Sequence, residues 1–423
     1  MTAVDLRLLP DSSTVSPGGV LSIAGVTVAD LAARFGTPLF VYDETHIRTR
    51  CRQAVAEFGA DCVVYATKAF LCGAMARLAH EEGLLLDVAT GGELFAVMSA
   101  GVPAGRCVLH GNNKSTEELR MAVTSGVNHI IVDSFDELDR LDALHAQGLP
   151  APHVQLRITP GVHAHTHEFV STGQDDSKFG FNLANGDAHR AIDRAASSPS
   201  VVLTGLHCHI GSNVLDASLF AVASEVMVEV FRGTGLPELT LGGGLGVAYT
   251  AGDDAPTMSQ WGDAVRSATS SLAAGTKVRV EPGRSIVASA GVTVYTVGTV
   301  KKIAGVRDYV AVDGGMSDNP RPMMYGSPYE AFDPARTTAD RPARARVVGK
   351  HCESGDIVID DAALPADVAV GDLLVTPVTG AYGYSMASNY NKVPRPAVVF
   401  VADGAARLVV RRETHEDLVR LDV

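Results

Sequence analysis

Several short stretches of this chain carry side chains whose types and spacing suit chemistry. Val63-Val64-Tyr65-Ala66-Thr67-Lys68-Ala69-Phe70 sets a lysine at the end of an apolar, strand-like run. An amine in such a place either snorkels its ammonium to water or stays desolvated, and a desolvated neutral amine is a nucleophile toward carbonyls. Gly242-Gly243-Gly244-Leu245-Gly246 has little side chain to pack and offers backbone N–H groups to an anion, though a glycine run alone is often only a tight turn. His207 and His209, two apart, would share one face of a strand. One suits a flat ring packed on a planar ligand and the other core hydrogen bonding. Glu281 precedes a proline at the end of another apolar run; it could pair with Arg284, or hold a pyridine nitrogen protonated and make that ring an electron sink. Cys352-Glu353-Ser354-Gly355-Asp356 is hydrophilic and turn-like, a setting in which a thiol could donate a proton. The alternative there is a core cysteine.

These residues need a frame. Apolar, strand-like runs recur at 62–66, 84–88, 107–110, 129–132, 154–158, 203–207, 238–241 and 277–280. Stretches of helical periodicity lie between them, as at 73–82, 93–100, 116–125 and 135–147. Eight strands alternating with helices predict an α/β fold, a (β/α)8 TIM barrel, over 43–290. In such barrels chemistry gathers just after each strand. Here Lys68, Asp87, His110, Asp133, Arg157, His207 to Ser212, the glycine run and Glu281 to Ser285 all fall there. The glycine run and Gly283-Arg284-Ser285 follow the seventh and eighth strands, the usual place for a barrel's phosphate site. After residue 290 short Val/Thr-rich runs take over, with Asp403-Gly404 as a hairpin signal, predicting an all-β domain over 291–423 with one helix near the C-terminus. Residues 1–42, with a helix over 27–35 closed by Gly36 and a strand over 38–42, are expected as an arm packing with that β-domain. Asp43 is placed to cap the next helix.

Composition narrows the partners. The chain has 423 residues, is 46% hydrophobic and 20% charged, and carries a net charge of −13. That balance speaks against nucleic acid and anionic membranes. Neither a signal-peptide pattern nor an apolar run of spanning length is present, and the six cysteines form no C-x-x-C pair. A soluble cytoplasmic protein with reduced thiols follows as the expectation. The His163/His165/His167 loop reads better as a polar loop than as a metal cluster, and no metal is expected.

An amine that condenses with carbonyls, a phosphate site, a stacking imidazole and a pyridinium partner together describe pyridoxal 5′-phosphate. Tyr65 to Ala69, His207-Cys208-His209-Ile210-Gly211-Ser212, Gly242 to Gly246, Glu281-Pro282-Gly283-Arg284, Cys352 to Asp356 and Gly380-Ala381-Tyr382 resemble the diaminopimelate decarboxylases. That family sits among the alanine-racemase-like, fold-type III pyridoxal-phosphate enzymes, with the ornithine and arginine decarboxylases. The likeness runs from about Pro38 to the C-terminus. His110-Gly111-Asn112-Asn113-Lys114 and the pair Arg321 and Tyr325 resemble its actinobacterial branch. Asn213 departs from the glutamine often found there.

The resemblance implies decarboxylation of meso-2,6-diaminopimelate at its D-centre to L-lysine and CO2, the last step of lysine biosynthesis. It implies that Lys68 links covalently to the cofactor, with Asp87 beside it, His209 stacked on the ring and Glu281 at the ring nitrogen. Ser212, Gly244, Gly246, Gly283 and Arg284 would hold the phosphate. Arg284, Arg321 and Tyr325 would grip the retained carboxylate, Glu353 the distal ammonium, and Tyr382 both cofactor and substrate. Cys352 would protonate the carbanion. Cys352, Glu353 and Asp356 would reach into the partner's site in a homodimer with shared active sites. Within the fold, a decarboxylase of ornithine, arginine or a polyamine precursor is the alternative, but its substrate has no second carboxylate to need both Arg284 and Arg321. A racemase would place an arginine where Glu281 stands, and a non-catalytic pyridoxal-phosphate carrier would be a barrel alone.

Overall fold

The computed structural model describes residues 4–161 and 176–423, so the His163/His165/His167 loop lies outside the described residues. The chain divides into two compact units. One comprises Arg50–Gly246 and Ala255–Ser285; the other Met1–Thr49, Val247–Asp254 and Ile286–Val423.

The first unit is the barrel. Strands Val64–Ala66, Leu85–Val88, Cys107–Leu109, His129–Val132, His153–Thr159, Val202–His207, Glu238–Thr240 and Lys277–Arg279 pair in parallel, each with the next in the chain. A parallel bridge between Val63 and Val280 joins the first strand's edge to the last. Most residues of these strands are buried, fully so in the first four, which is why they read as apolar runs rather than alternating ones. Val64, Leu85, Val108 and Ile131, one from each of the first four strands, pack together. Fully burying each such side chain is worth about 1.5–3 kcal/mol.

Four of the helices that follow the strands are opened by side-chain caps. Thr90, Ser115, Ser134 and Thr257 each accept the N–H three residues on, with full capping boxes at Ser115 and Thr257. A ninth short strand, Phe181–Asn182, lies parallel to the fifth and has no counterpart in the periodicity.

The second unit is built on a sheet ordered 357–364, 343–348, 307–312, 291–303, 39–43, 397–402, 405–410, with 373–376 also on 291–303. Leu39–Asp43, fully buried, lies between Gly291–Ile303 and Ala397–Ala402 in this sheet. Asp403-Gly404 makes the two-residue hairpin loop, both residues at positive φ. Leu21, Ile23, Val28, Leu31, Val41, Val294 and Val399 share one apolar core.

The division between units differs from the sequence boundaries of 43–290. The cut falls inside helix Glu44–Phe58, whose start is anchored in the β-rich unit: Asp43 Oδ1 accepts the His46 N–H at 3.0 Å, and Glu44 pairs with Arg407 at 2.9 Å. Residues 247–254 join that unit through Tyr249, edge-on to Tyr329, and through the Ala251 N–H on Glu330 at 2.8 Å. The expectation of a single helix in the C-terminal part is also corrected. Arg321–Tyr325 forms a five-residue helix with proline in its first turn, ended by Gly326 in the left-handed region, in addition to His415–Val419. Among the described residues, no helix is long and apolar enough to cross a membrane.

Candidate active site

Lys68 lies one residue beyond the first barrel strand, in a 3-10 turn over Thr67–Ala69. Thr67 and Ala69 are buried, and Thr67 fixes the turn by donating from Oγ1 to the Asp87 carbonyl at 2.7 Å. Lys68 itself is exposed. Of the two readings that the sequence left open, the structure shows the amine toward solvent, on a turn beyond the strand. Its charge still reaches the site, because burial and then the Lys68 ammonium drive the His209 imidazole well below its usual pKa. His209 is half-buried, and its Nδ1 accepts the Gly243 N–H at 3.3 Å.

Glu281 does not pair with Arg284. Its Oε2 accepts from His207 Nε2 at 2.9 Å, and its Oε1 lies 3.0 Å from His110 Nε2, off the line of a straight hydrogen bond. Burial works against a charged carboxyl, but the two imidazoles prevail and hold Glu281 well below the usual carboxylate range. So His207 is the histidine that makes core hydrogen bonds. His110 was noted in the sequence as following the third strand and as part of a motif; no spacing pairs it with Glu281, far away in the chain. One ligand atom from each of His110, His207 and Glu281 lies within 4.8 Å of the other two, a spacing that a metal ion could also use. Asp87, buried at the end of the second strand, lies 3.8 Å from His110 Nε2.

The glycine run owes its composition to close approach. A Cβ at Gly243 would sit 1.9 Å from the Glu281 carbonyl oxygen. At Gly244, where φ is +117°, it would sit 2.3 Å from that of Gly211. The loop after the sixth strand is thereby pressed onto it: the Val214 N–H donates to the Gly244 carbonyl and the Gly246 N–H to the Val214 carbonyl, both at 2.9 Å. Arg284 is buried at the start of a short helix and donates to Ser212 Oγ at 2.8 Å, which joins the loops after strands six and eight. Asn213, beside Ser212, sits at φ +59°, a conformation that asparagine tolerates well.

The remaining predicted residues lie on the β-rich unit. Arg321 is buried; its guanidinium stacks 4.3 Å from the Tyr249 ring centre and donates to the Tyr329 hydroxyl. Neither tyrosine was singled out in the sequence, and Tyr249 comes from the 247–254 excursion. Tyr325 is half-buried on the same short helix. Cys352 and Glu353 are exposed. The Tyr390 hydroxyl donates to Glu353, and the Asn391 side-chain oxygen faces the Cys352 N–H at 3.4 Å.

Asp356, expected to point outward with them, is instead buried. Its two oxygens accept the Met316 N–H at 2.6 Å and the His351 N–H at 2.8 Å. It shapes the Cys352 loop from inside. Tyr382 is half-buried at φ +58°, four residues after Val378 at +59°. Two non-glycine residues in that region, one of them β-branched, store backbone strain next to a predicted ligand contact.

Residues 44–288 match the family described as "Pyridoxal-dependent decarboxylase, pyridoxal binding domain". The diaminopimelate decarboxylase of Bacillus subtilis is 47% identical over 435 residues, spanning 98% of this chain and 98% of that one. That of Mycobacterium tuberculosis is 46% identical over 434 residues, spanning 98% and 97%. A crystal structure of diaminopimelate decarboxylase from M. jannaschii in co-complex with L-lysine is 33% identical with a TM-score of 0.89, covering 98% of both chains.

Pyridoxal phosphate asks of a site an amine within reach of solvent, an anion-binding turn, a flat face and a carboxylate with an oxygen to spare. Lys68, the Ser212–Arg284 junction with its glycines, and His209 meet the first three. Glu281 meets the fourth, since its buried Oε1 accepts no aligned hydrogen bond among the described residues. The residues fit the group. Full-length kinship and a barrel mouth shaped for this cofactor lead to one assignment: the chain belongs to the diaminopimelate decarboxylase family of pyridoxal-dependent decarboxylases.

Proposed function

We propose that the chain decarboxylates meso-2,6-diaminopimelate at its D-centre, giving L-lysine and CO2 in the last step of lysine biosynthesis. One structural observation carries the choice of substrate class. Arg321 is a buried guanidinium held by Tyr249 and Tyr329, and among the described residues no carboxylate pairs with it. A buried cation left to aromatic partners is suited to an anionic ligand group, and a substrate carboxylate matches its planar fork. Diaminopimelate keeps such a carboxylate after reaction; ornithine and arginine have none to spare.

The bound cofactor supplies an aldehyde that condenses with amines and a protonated ring that takes up the electron pair left by CO2. Everything else falls to the chain. Lys68 would hold the cofactor through its amine. His209, uncharged because burial and Lys68 disfavour its cation, would lie against the ring without opposing the ring's positive charge. Glu281, held ionised, keeps the ring nitrogen protonated. Ser212, Gly244, Gly246, Gly283 and Arg284 bind the phosphate, and Asp87 adds a carboxylate beside Lys68. Arg284, Arg321 and Tyr325 orient the retained carboxylate, Glu353 reads the distal ammonium, and Tyr382 contacts both cofactor and substrate. Cys352 delivers a proton to Cα from its exposed loop. These roles rest on the motif resemblance and on the geometry given above.

We further propose a cytoplasmic homodimer in which Cys352 and Glu353 serve the partner's site; their exposure on the β-rich unit supports this. The test is product analysis with and without pyridoxal phosphate. One CO2 and one L-lysine per meso-diaminopimelate, only with cofactor present, is the expected result. Cofactor binding without CO2 release would favour a carrier and overturn the proposal.

A further inference from the structure

Three buried groups meet at the ends of the third, sixth and eighth barrel strands, and the function proposed above uses only Glu281. Its two oxygens face His207 Nε2 at 2.9 Å and His110 Nε2 at 3.0 Å, and the imidazoles pack edge-to-face with centres 5.1 Å apart. A carboxylate this deep costs several kcal/mol unless a cation shares its surroundings.

The charged groups around it can be counted. Asp87 approaches His110 Nε2 to 3.8 Å and is a second anion. Arg157 also acts on Glu281 and His207, but it has its own counter-ion in Asp133 at 3.8 Å and its guanidinium lies 4.2 Å from the Phe179 ring centre. Lys68 acts on His110 from its exposed turn and opposes its charge. His110 is thus an imidazole flanked by two carboxylates: burial alone would lower its pKa, but Asp87 and Glu281 raise it. His207, with one carboxylate and, among the described residues, no Nδ1 partner, goes the other way, because burial outweighs Glu281. One imidazolium against two carboxylates leaves a single negative charge, which a protonated pyridine nitrogen would balance.

We propose that His110 is a positioning residue of the cofactor site: as an imidazolium between Asp87 and Glu281 it keeps Glu281 ionised and ready to accept from the ring nitrogen, while neutral His207 fixes the other oxygen. This rests on Glu281 as the ring-nitrogen partner. Without His110, Asp87 and Glu281 become like-charged neighbours in a buried site, which favours uptake of a proton by one of them. If Glu281 takes it, the carboxylate can no longer accept from the pyridinium.

The experiment measures pyridoxal 5′-phosphate binding to the full chain stripped of cofactor, from pH 6 to 8.5, for wild type, His110→Phe, His110→Gln and Glu281→Gln. Melting temperatures establish that each variant is folded. Wild type sets the pH dependence that belongs to the cofactor itself. His110→Phe should bind more weakly, and its ratio to wild type should worsen at least about tenfold as the pH falls from 8.5 to 6, following the rise of the carboxyl. His110→Gln keeps an N–H donor without a charge and should show the same pH-dependent loss, even where it fills the space better. Phe or Gln variants that track wild type at every pH would overturn the role of His110. If Glu281→Gln weakens binding while His110→Phe does not, only His110 is misassigned; if Glu281→Gln binds as wild type does, Glu281 itself is.

Discussion

Lys68 works from a turn rather than a wall. With Thr67 tied to the Asp87 carbonyl and Ala69 buried, the backbone around it is fixed by contacts that the lysine side chain does not make. Lys68→Ala should therefore keep the wild-type melting temperature within about 0.5 kcal/mol of stability, as exposed substitutions do. It should lose the visible absorbance of the lysine-bound cofactor together with activity; a variant that retains both rules Lys68 out. At this scale the sequence was only partly legible. Motifs located Lys68, His209, Glu281 and Ser212, because barrel chemistry follows strand ends. They could not assign Glu281 a partner, because Arg284 is three residues away in the chain while His110 is close only in space. Nor did they show Tyr249 and Tyr329 around Arg321, since ordinary aromatic residues carry no spacing signal until the fold brings them together.

At the scale of elements, the barrel strands were legible because most of their residues are buried and many are apolar. The helix Arg321–Tyr325 was not, since five residues are too few to show a period, and neither was the 247–254 excursion, which is defined by tertiary contacts. Within the β-rich unit, the loop after Arg307–Val312 is knotted around two buried acids. Asp318 accepts the Tyr295 hydroxyl at 2.5 Å and the Gly315 N–H at 2.8 Å, and burial pushes its carboxyl up to about 7 despite both bonds. The folded state thus holds this proton more tightly than the unfolded chain does. The resulting stability is fully present below about pH 4 and is lost as pH rises toward 7. Asp318→Asn removes the ionisation, so its stability relative to wild type should climb between pH 4 and 8 by an amount of order 1–4 kcal/mol. Thermal melts at the two ends check this; a difference that does not move with pH contradicts it. Asp356→Ala should act differently: two buried N–H groups, of Met316 and His351, lose their acceptor, at a cost of about 1–3 kcal/mol each, and the Cys352 loop loses its shape. Activity should fall further than the melting temperature alone explains.

At the scale of the molecule, the two units carry different halves of the proposed chemistry. The residues proposed to hold the cofactor, Tyr382 apart, lie on the barrel, and Arg321, Tyr325, Cys352, Glu353 and Tyr382 on the β-rich unit. If Lys68 and Cys352 of one site come from different subunits, Lys68→Ala and Cys352→Ala should each be nearly inactive alone. Unfolding and reassociating an equal mixture gives roughly half heterodimers, each with one intact site of two, so about a quarter of wild-type activity should return. No recovery, with exchange confirmed, would put both residues in one subunit's site. The substrate itself is tested most directly by the ratio of kcat/KM for meso-diaminopimelate over ornithine, measured on one preparation of wild type and of Arg321→Ala. A ligand without the distal carboxylate leaves the buried Arg321 without an anion, so wild type should prefer meso-diaminopimelate by about a thousandfold or more. Arg321→Ala should turn over diaminopimelate poorly and narrow that preference. Comparable rates on ornithine in wild type, or a preference unchanged in Arg321→Ala, would contradict the account.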